Sequence, residues 1–149
     1  MKVAGNNFSE TQTAKCQIHL PYGLVGLPEM QRFDLAPIAG TWPLLSMRSS
    51  GSEEICFVVV EPHTLIAGYD LEVSDDDAEQ LRLESAEDVI IFNIVTIHSL
   101  QPQYVTVNLV GPLLVNRHTL IGKQVIIANF EQYSAHHVLI DERPKDSTT

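Results

Sequence analysis

The run Thr106-Val107-Asn108-Leu109-Val110-Gly111-Pro112-Leu113-Leu114-Val115-Asn116 constrains the fold more than any other stretch. Two apolar segments flank a Gly-Pro pair, and each carries one Asn. Gly111 tolerates backbone angles that other residues resist, while Pro112 fixes its own φ and turns the residue before it away from helix. Both segments are too short for independent helices and rich in β-branched residues, so they read as strand, sharp corner, strand. An Asn in such a run costs burial free energy unless its amide is bonded, and Asn readily bonds nearby backbone. Asn108 and Asn116 are therefore expected to brace the corner. Nothing in the stretch resembles a reaction centre.

Other segments repeat the strand signal. Ala14–Leu20 alternates, with Ala14, Cys16, Ile18 and Leu20 on one face and Lys15, Gln17 and His19 on the other. Arg32–Leu35 and Leu44–Ser49 are further short strands. Ile55–Val60 is apolar throughout and reads as a strand covered on both faces. Val89–Ile97 is the longest strand, its β-branched content arguing against helix. Lys123–Phe130, after Gly122, is the last clear one. Leu65–Leu71 is extended around Tyr69. Turn residues separate these runs at Pro21-Tyr22-Gly23, Gly26-Leu27-Pro28, Gly40, Pro43, Ser50-Gly51-Ser52 and Pro102.

One helix is predicted, from Ser74. Its hydroxyl can cap, Asp77 stands three residues on, and Asp75, Asp76 and Asp77 crowd the positive end of the helix dipole. The triple Asp lacks the Gly and the spaced bidentate acid of a calcium loop. With about eight strands, one short helix and no βαβ rhythm, the expected fold is mainly β, antiparallel, and closed or nearly closed into a barrel. One domain is expected over residues 1–149, with 1–13 an edge strand or a loose arm and 141–149 a polar tail.

The chain has 149 residues, enough for a real core, with 44% hydrophobic and 19% charged residues. No apolar run reaches the length of a transmembrane helix, and Met1–Asn7 lacks the apolar segment of a signal peptide. The two cysteines, Cys16 and Cys56, sit in apolar strand-like runs, which suits small buried hydrophobes in a reducing cytoplasm; a disulfide is the less favoured reading. A net charge of −10 disfavours nucleic acid and anionic membranes as direct ligands and suits a basic protein partner, or solubility alone.

Catalytic patterns are missing. The six histidines, His19, His63, His98, His118, His136 and His137, do not form the spaced pairs of a zinc enzyme, and neighbours such as His136 and His137 point to opposite faces of a strand. There is no G-x-S-x-G, phosphate loop or dinucleotide fingerprint. Glu53-Glu54 and Glu87-Asp88 read as solvated turns. Arg48 stands in a weakly charged strand, either paired in the core or offered to a partner.

The order of motifs resembles the FliW family of flagellar assembly factors from Ile18 to about Tyr133. Gly23-Leu24-Val25-Gly26-Leu27-Pro28 is similar to its early G-L-x-G-F segment, with Leu27 in place of Phe. Met47-Arg48-Ser49 resembles its L-Q-S element, Phe57–Pro62 its F-x-V-x-D-P strand end, and Tyr69 the tyrosine that follows. Asn108-Leu109 with Gly111–Asn116 is similar to N-L-x-A-P-x-x-I-N, and Gly122–Val125 to G-x-Q-V. Gly111 for Ala, Arg48 for Gln and Glu61 for Asp depart from the pattern. The resemblance implies a β-barrel-like, cytoplasmic, non-enzymatic regulator without cofactor or metal. Its implied partners are the RNA-binding repressor CsrA and flagellin, with repression of flagellin translation relieved and no direct contact to RNA. It makes Arg48, Tyr69, Asn108, Asn116 and Gln124 the expected partner-binding residues, although the two Asn are equally readable as structural. The competing expectation is a small β-barrel enzyme, or a ligand- or metal-binding protein, with a pocket near Asn108 and Asn116.

Overall fold

The computed structural model describes residues 1–4, 16–50 and 55–145. Its strands are β1 (Lys2–Ala4), β2 (Cys16–His19), β3 (Arg32–Pro37), β4 (Leu44–Ser49), β5 (Cys56–Val60), β6 (Asp70–Glu72), β7 (Val89–Leu100), β8 (Gln103–Val107), β9 (Leu113–Asn116), β10 (Gly122–Gln124) and β11 (His137–Asp141). Among the described residues one α-helix, α1 (Asp75–Gln80), follows β6, and three single 3-10 turns lie at Pro62–Thr64, Ala86–Asp88 and Phe130–Gln132. All strand ladders are antiparallel. The main sheet runs β10-β9-β7-β5-β4-β3-β2, with β8 and β11 branching from β7, while β1 and β6 form a separate pair.

β7 organises the sheet. Its first residues pair with β9, from Val89↔Asn116 to Phe92↔Leu113. Its middle pairs with β5 through Asn93↔Val60, Ile94↔Val59 and Val95↔Val58. Its far half pairs with β8 from Val95↔Val107 to Leu100↔Gln103. The apolar run that predicted this strand is explained by burial on both faces. Val89 and Ile91 pack into one core with Val60, Leu71, Leu81, Leu114 and Ile127. Ile90 and Phe92 enter the other with Ile18, Phe33, Met47, Leu113 and Val115. Side chains alternate across a strand, so a strand between two cores must be apolar at successive positions.

Helix α1 forms as its sequence dictates. Ser74 Oγ accepts from the Asp77 amide at 3.1 Å, and three acids occupy the first turn. The alternation expected for β2 and β3 holds: Ile18, Phe33 and Leu35 are buried, and Gln17, Arg32 and Asp34 are exposed. Lys2–Ala4 forms β1, paired with β6; the rest of the expected arm (5–13), Ala14, Lys15, the Ser50–Ser52 turn beyond Ser50, the Glu53-Glu54 pair and the end of the expected tail (146–149) lie outside the described residues.

Five expectations need correction, the first being Leu65–Leu71, which turns through residues 65–68 after a single helical turn at Pro62–Thr64 and is strand only at Asp70 and Leu71. The sheet is not closed into a barrel: among the described residues its ends β2 and β10 share no ladder, only one isolated bridge, His19↔Ile121. The Pro21–Pro28 turns and the short β10 leave too little paired backbone there to close it. The cysteines are not both buried: Cys16 is half-buried and Cys56 is exposed, because β5 is covered on both faces only at Val59 and Val60. The strand expected over Lys123–Phe130 stops at Gln124. Finally β11, within a stretch the sequence left unassigned, pairs with β8, and its last residue Asp141 opens the supposed tail.

Candidate functional site

The corner between β8 and β9 spans Asn108–Pro112. From Val107 to Leu113 the chain advances six residues while its partners on β7 move three, from Val95 to Phe92. Backbone amides and carbonyls thrown out of the ladder this way must be bonded elsewhere or cost free energy.

Every one of the five corner carbonyls accepts a hydrogen bond. Asn93 Nδ2 donates to Asn108 O at 2.9 Å. Tyr69 Oη donates to Leu109 O at 2.6 Å. The Ile127 amide donates to Val110 O at 3.2 Å and the Val125 amide to Pro112 O at 3.0 Å. Gln124 Nε2 donates to Gly111 O at 3.1 Å. The amides are equally committed: Asn108 to Ile94 O and Leu109 to Ser134 O, with Val110 and Gly111 both donating to Asn108 Oδ1 at 3.0 Å. This is why Val125 and Ile127 leave the strand ladder: their amides serve the irregular corner, not a neighbouring strand.

The five residues singled out from the sequence therefore divide. Tyr69, Asn108 and Gln124 converge on the corner. Tyr69 is buried, and burial pushes its hydroxyl pKa well above the usual range. Gln124 is half-buried and also accepts from the Val25 amide through Oε1 at 2.9 Å, tying the Gly23–Pro28 turn to the corner. Asn116 lies elsewhere, a correction to its expected role. Its Oδ1 accepts from His118 N at 2.8 Å and Thr119 N at 3.3 Å, and its Nδ2 donates to Leu81 O at 2.9 Å. It braces the β9–β10 turn and anchors it to the end of α1. Asn108 Oδ1 is thus taken up by two backbone amides of the corner, and both ends of the Asn116 amide by backbone of the other turn.

Arg48 is the exposed member of the set. Its strand register places it between Asp34 on β3 and Cys56 on β5, with Gln17 of β2 next in the row. Gln17 Nε2 donates to Asp34 at 3.1 Å, and Arg48 makes no ion pair among the described residues. Of the two readings for Arg48, pairing in the core is removed by this exposure.

Asn93 was not singled out from sequence. Its signal was an amide inside the apolar run Val89–Ile97, and it proves fully buried. Besides Asn108 O, its Nδ2 donates to Tyr69 Oη at 2.9 Å.

Among the described residues no cluster of three His, Cys, Asp or Glu side chains could hold a metal. Two carboxylates have shifted environments. Glu61 is buried, and burial raises its pKa against the opposing hydrogen bonds from the His63 amide. Asp88 is held below the usual range by the amides of Ser85 and Glu84 and by His118 at 3.0 Å. Both carboxylates accept from local turn amides, as structural caps do. No helix among the described residues is long and apolar enough to cross a membrane.

Comparison with known proteins agrees with the architecture. The family model described as FliW protein matches residues 2–139. The flagellar assembly factor FliW of Clostridium novyi (strain NT) is 34% identical over 125 residues, covering 84% of this chain and 86% of the relative. That of Magnetococcus marinus is 32% identical over 143 residues, covering 95% and 86%. That of Bacillus licheniformis is 35% identical over 120 residues, covering 79% and 82%. A crystal structure of the flagellar assembly factor FliW superposes with a TM-score of 0.74 at 29% identity, covering 86% of this chain and 88% of that one. With a family model along nearly its whole length, relatives above 30% identity and a matching solved fold, the chain belongs to the FliW family of flagellar assembly factors.

Proposed function

We propose that this flagellar assembly factor works in the cytoplasm by docking, without making or breaking bonds. Its partners are a CsrA-type RNA-binding repressor and flagellin, and binding the repressor relieves repression of flagellin translation. The observation that carries this reading is the placement of charge. Asp70, Glu72, Asp75, Asp76, Asp77, Glu79, Glu84, Glu87 and Asp88 face a single base, Arg82, over residues 70–88, a net of −8 within a chain total of −10. Lys123 neutralises Asp77 at 2.6 Å and His118 pairs with Asp88, leaving Asp75, Asp76, Glu79, Glu84 and Glu87 exposed around α1. A protein that binds RNA presents cationic surface, and an acid-rich face attracts such a partner while repelling RNA itself.

Within this reading Arg48 contacts a partner directly. Asn108 and Gln124 lie partly accessible at the corner, whereas buried Tyr69 and Asn116 act by holding shape. Titration calorimetry with the repressor and with flagellin from the same organism tests the proposal. Binding to both is expected, the repressor complex weakening with salt. A competition titration then establishes whether flagellin displaces the repressor. Folded partners that bind in neither titration would remove the reading.

A further inference from the structure

The main sheet forks at β7. On its β5 side β7 is paired only as far as Val95, opposite Val58. Beyond that point Phe57 and Cys56 pair with Met47 and Arg48 of β4, while Thr96–Leu100 pairs with β8 alone. Alternate residues of a strand turn both backbone groups to one side. Part of the Thr96–Leu100 backbone therefore faces the fork with no ladder partner among the described residues. Such an edge is a template for another strand, which proteins ordinarily block with charge or proline. Thr96-Ile97-His98-Ser99-Leu100 carries no proline, acid, lysine or arginine, and Thr96, Ile97, His98 and Leu100 are exposed.

The fork opens onto an apolar groove of about 310 Å³. Val58 and Val95, the last pair before the strands part, line it, and so do Ile97 and Leu100 beyond them, with Trp42 and Ile140 on its flanks. Ile97 is 46% exposed and Leu100 76%, so apolar surface is left there for a partner to cover. Val95 and Ile97 stand on one face of β7, and a strand laid beside them sends every second side chain to that same face. None of the lining residues is charged, in a chain whose net charge is −10.

These features fix the occupant. Unpaired strand backbone is satisfied by extended chain, whereas a helix has its backbone groups committed internally. Uncharged walls select uncharged side chains, because an ion buried among them would have no counter-charge. The volume is at the small end for ligand sites, enough for a few side chains of one segment and too small for the body of a second folded copy.

We infer that the β7 edge from Thr96 to Leu100 accepts one extended segment of a protein partner as an added strand, a segment uncharged and apolar at alternate residues, whose apolar side chains fill the groove between Trp42 and Ile140. The register shift at His98 keeps the addition short, about four residues. The groove shares no lining residue with the acid-rich segment 70–88. Its test uses neither of the partners proposed above, so failure here leaves docking through the acid-rich face standing.

The test is an amide-resolved NMR titration of the whole chain with acetyl-Thr-Val-Thr-Val-Thr-amide. Saturable shifts at Val58 and Val95–Leu100 are expected. Two analogues replace either the Val or the Thr amide N–H groups by ester oxygens and keep every side chain. At least one should bind about tenfold more weakly, as for the loss of one or two backbone hydrogen bonds. Ile97→Thr and Leu100→Thr, both at exposed positions, should each weaken the parent peptide about fivefold by removing apolar contact. Absence of shifts, undiminished binding of both ester analogues, or indifference to both substitutions would overturn the inference. So would the same shifts on raising the protein concentration without peptide, which would assign the groove to a second copy. Tighter binding of acetyl-Aib-Val-Aib-Val-Aib-amide, which is held helical, would assign it to a partner helix and overturn the inference equally.

Discussion

Tyr69 and Asn93 meet in the buried core, the Asn93 amide donating to the tyrosine oxygen at 2.9 Å while that hydroxyl donates to Leu109 O at 2.6 Å. Together the two side chains satisfy two successive carbonyls of the corner, at Asn108 and Leu109. Tyr69→Phe keeps the ring and its edge-to-face contact with Tyr133, centroids 5.0 Å apart, but leaves Leu109 O and one Asn93 donor unpaired. Stranding a buried polar group costs roughly 1–3 kcal/mol, so a loss of about 2 kcal/mol is expected. Urea unfolding measures it; a change under about 0.5 kcal/mol would show that the corner does not depend on this hydroxyl.

Two glycines should respond unequally to Ala. At Gly23, with φ 68°, a Cβ would stand 2.5 Å from Pro28 O, a backbone atom that cannot move alone. At Gly111 the nearest atoms are the ends of two side chains, Asn108 Nδ2 at 3.2 Å and Gln124 Nε2 at 3.5 Å. Gly23→Ala is expected to cost at least about 2 kcal/mol, from strain and a backbone clash. Gly111→Ala should stay within about 1 kcal/mol of the parent, the lowered entropy of the unfolded chain offsetting the close contact. Thermal unfolding of the pair decides the order, and equal losses would contradict it.

Glu61 sets a pH dependence whose sign follows from its burial. Its folded pKa is raised, so the native state takes up a proton more readily than the unfolded chain. The stability this group contributes is present below its unfolded pKa and lost as pH rises through its folded pKa. Glu61→Gln abolishes the effect. Unfolding both proteins between pH 7 and pH 4 should therefore show the parent gaining on the variant as pH falls. A constant difference, or one of opposite sign, would contradict this assignment.

The cysteines should differ in reactivity. Cys56 is exposed at the start of β5, whereas Cys16 is half-buried and burial pushes its thiol pKa up. Since the thiolate is the reactive form, limited treatment with iodoacetamide at neutral pH should modify Cys56 first. Peptide mass mapping over time reads the order. Equal rates, or faster modification of Cys16, would show that β2 opens readily.

Local rules carried much of the reading. Ser74 capping, the strict alternation of β2 and β3, and the turn chemistry at Gly23 and Pro102 each depend on neighbours in sequence, and each was legible. Cys56 was misread because an apolar run does not tell which part of a strand another layer will cover. The end of β10 was misread for a related reason: Val125 and Ile127 have strand-like side chains, but their amides are drawn to the carbonyls of Pro112 and Val110.

The sequence by itself determined the helix α1, the strands β2 to β5 and β7, the corner at Gly111-Pro112, the acid-rich segment from Asp70 to Asp88 and the family to which the chain belongs, since these reside in composition, period and motif order. Only the tertiary structure decided that the sheet stays open, that Asn116 serves α1 and not the corner, and that Asn93 is the amide on which the corner rests. Hydrogen-bond partners 15 to 40 residues apart, as Asn93 with Asn108 and Tyr69 with Leu109, are set by the packing of whole strands. No local propensity encodes which carbonyl a buried amide will reach.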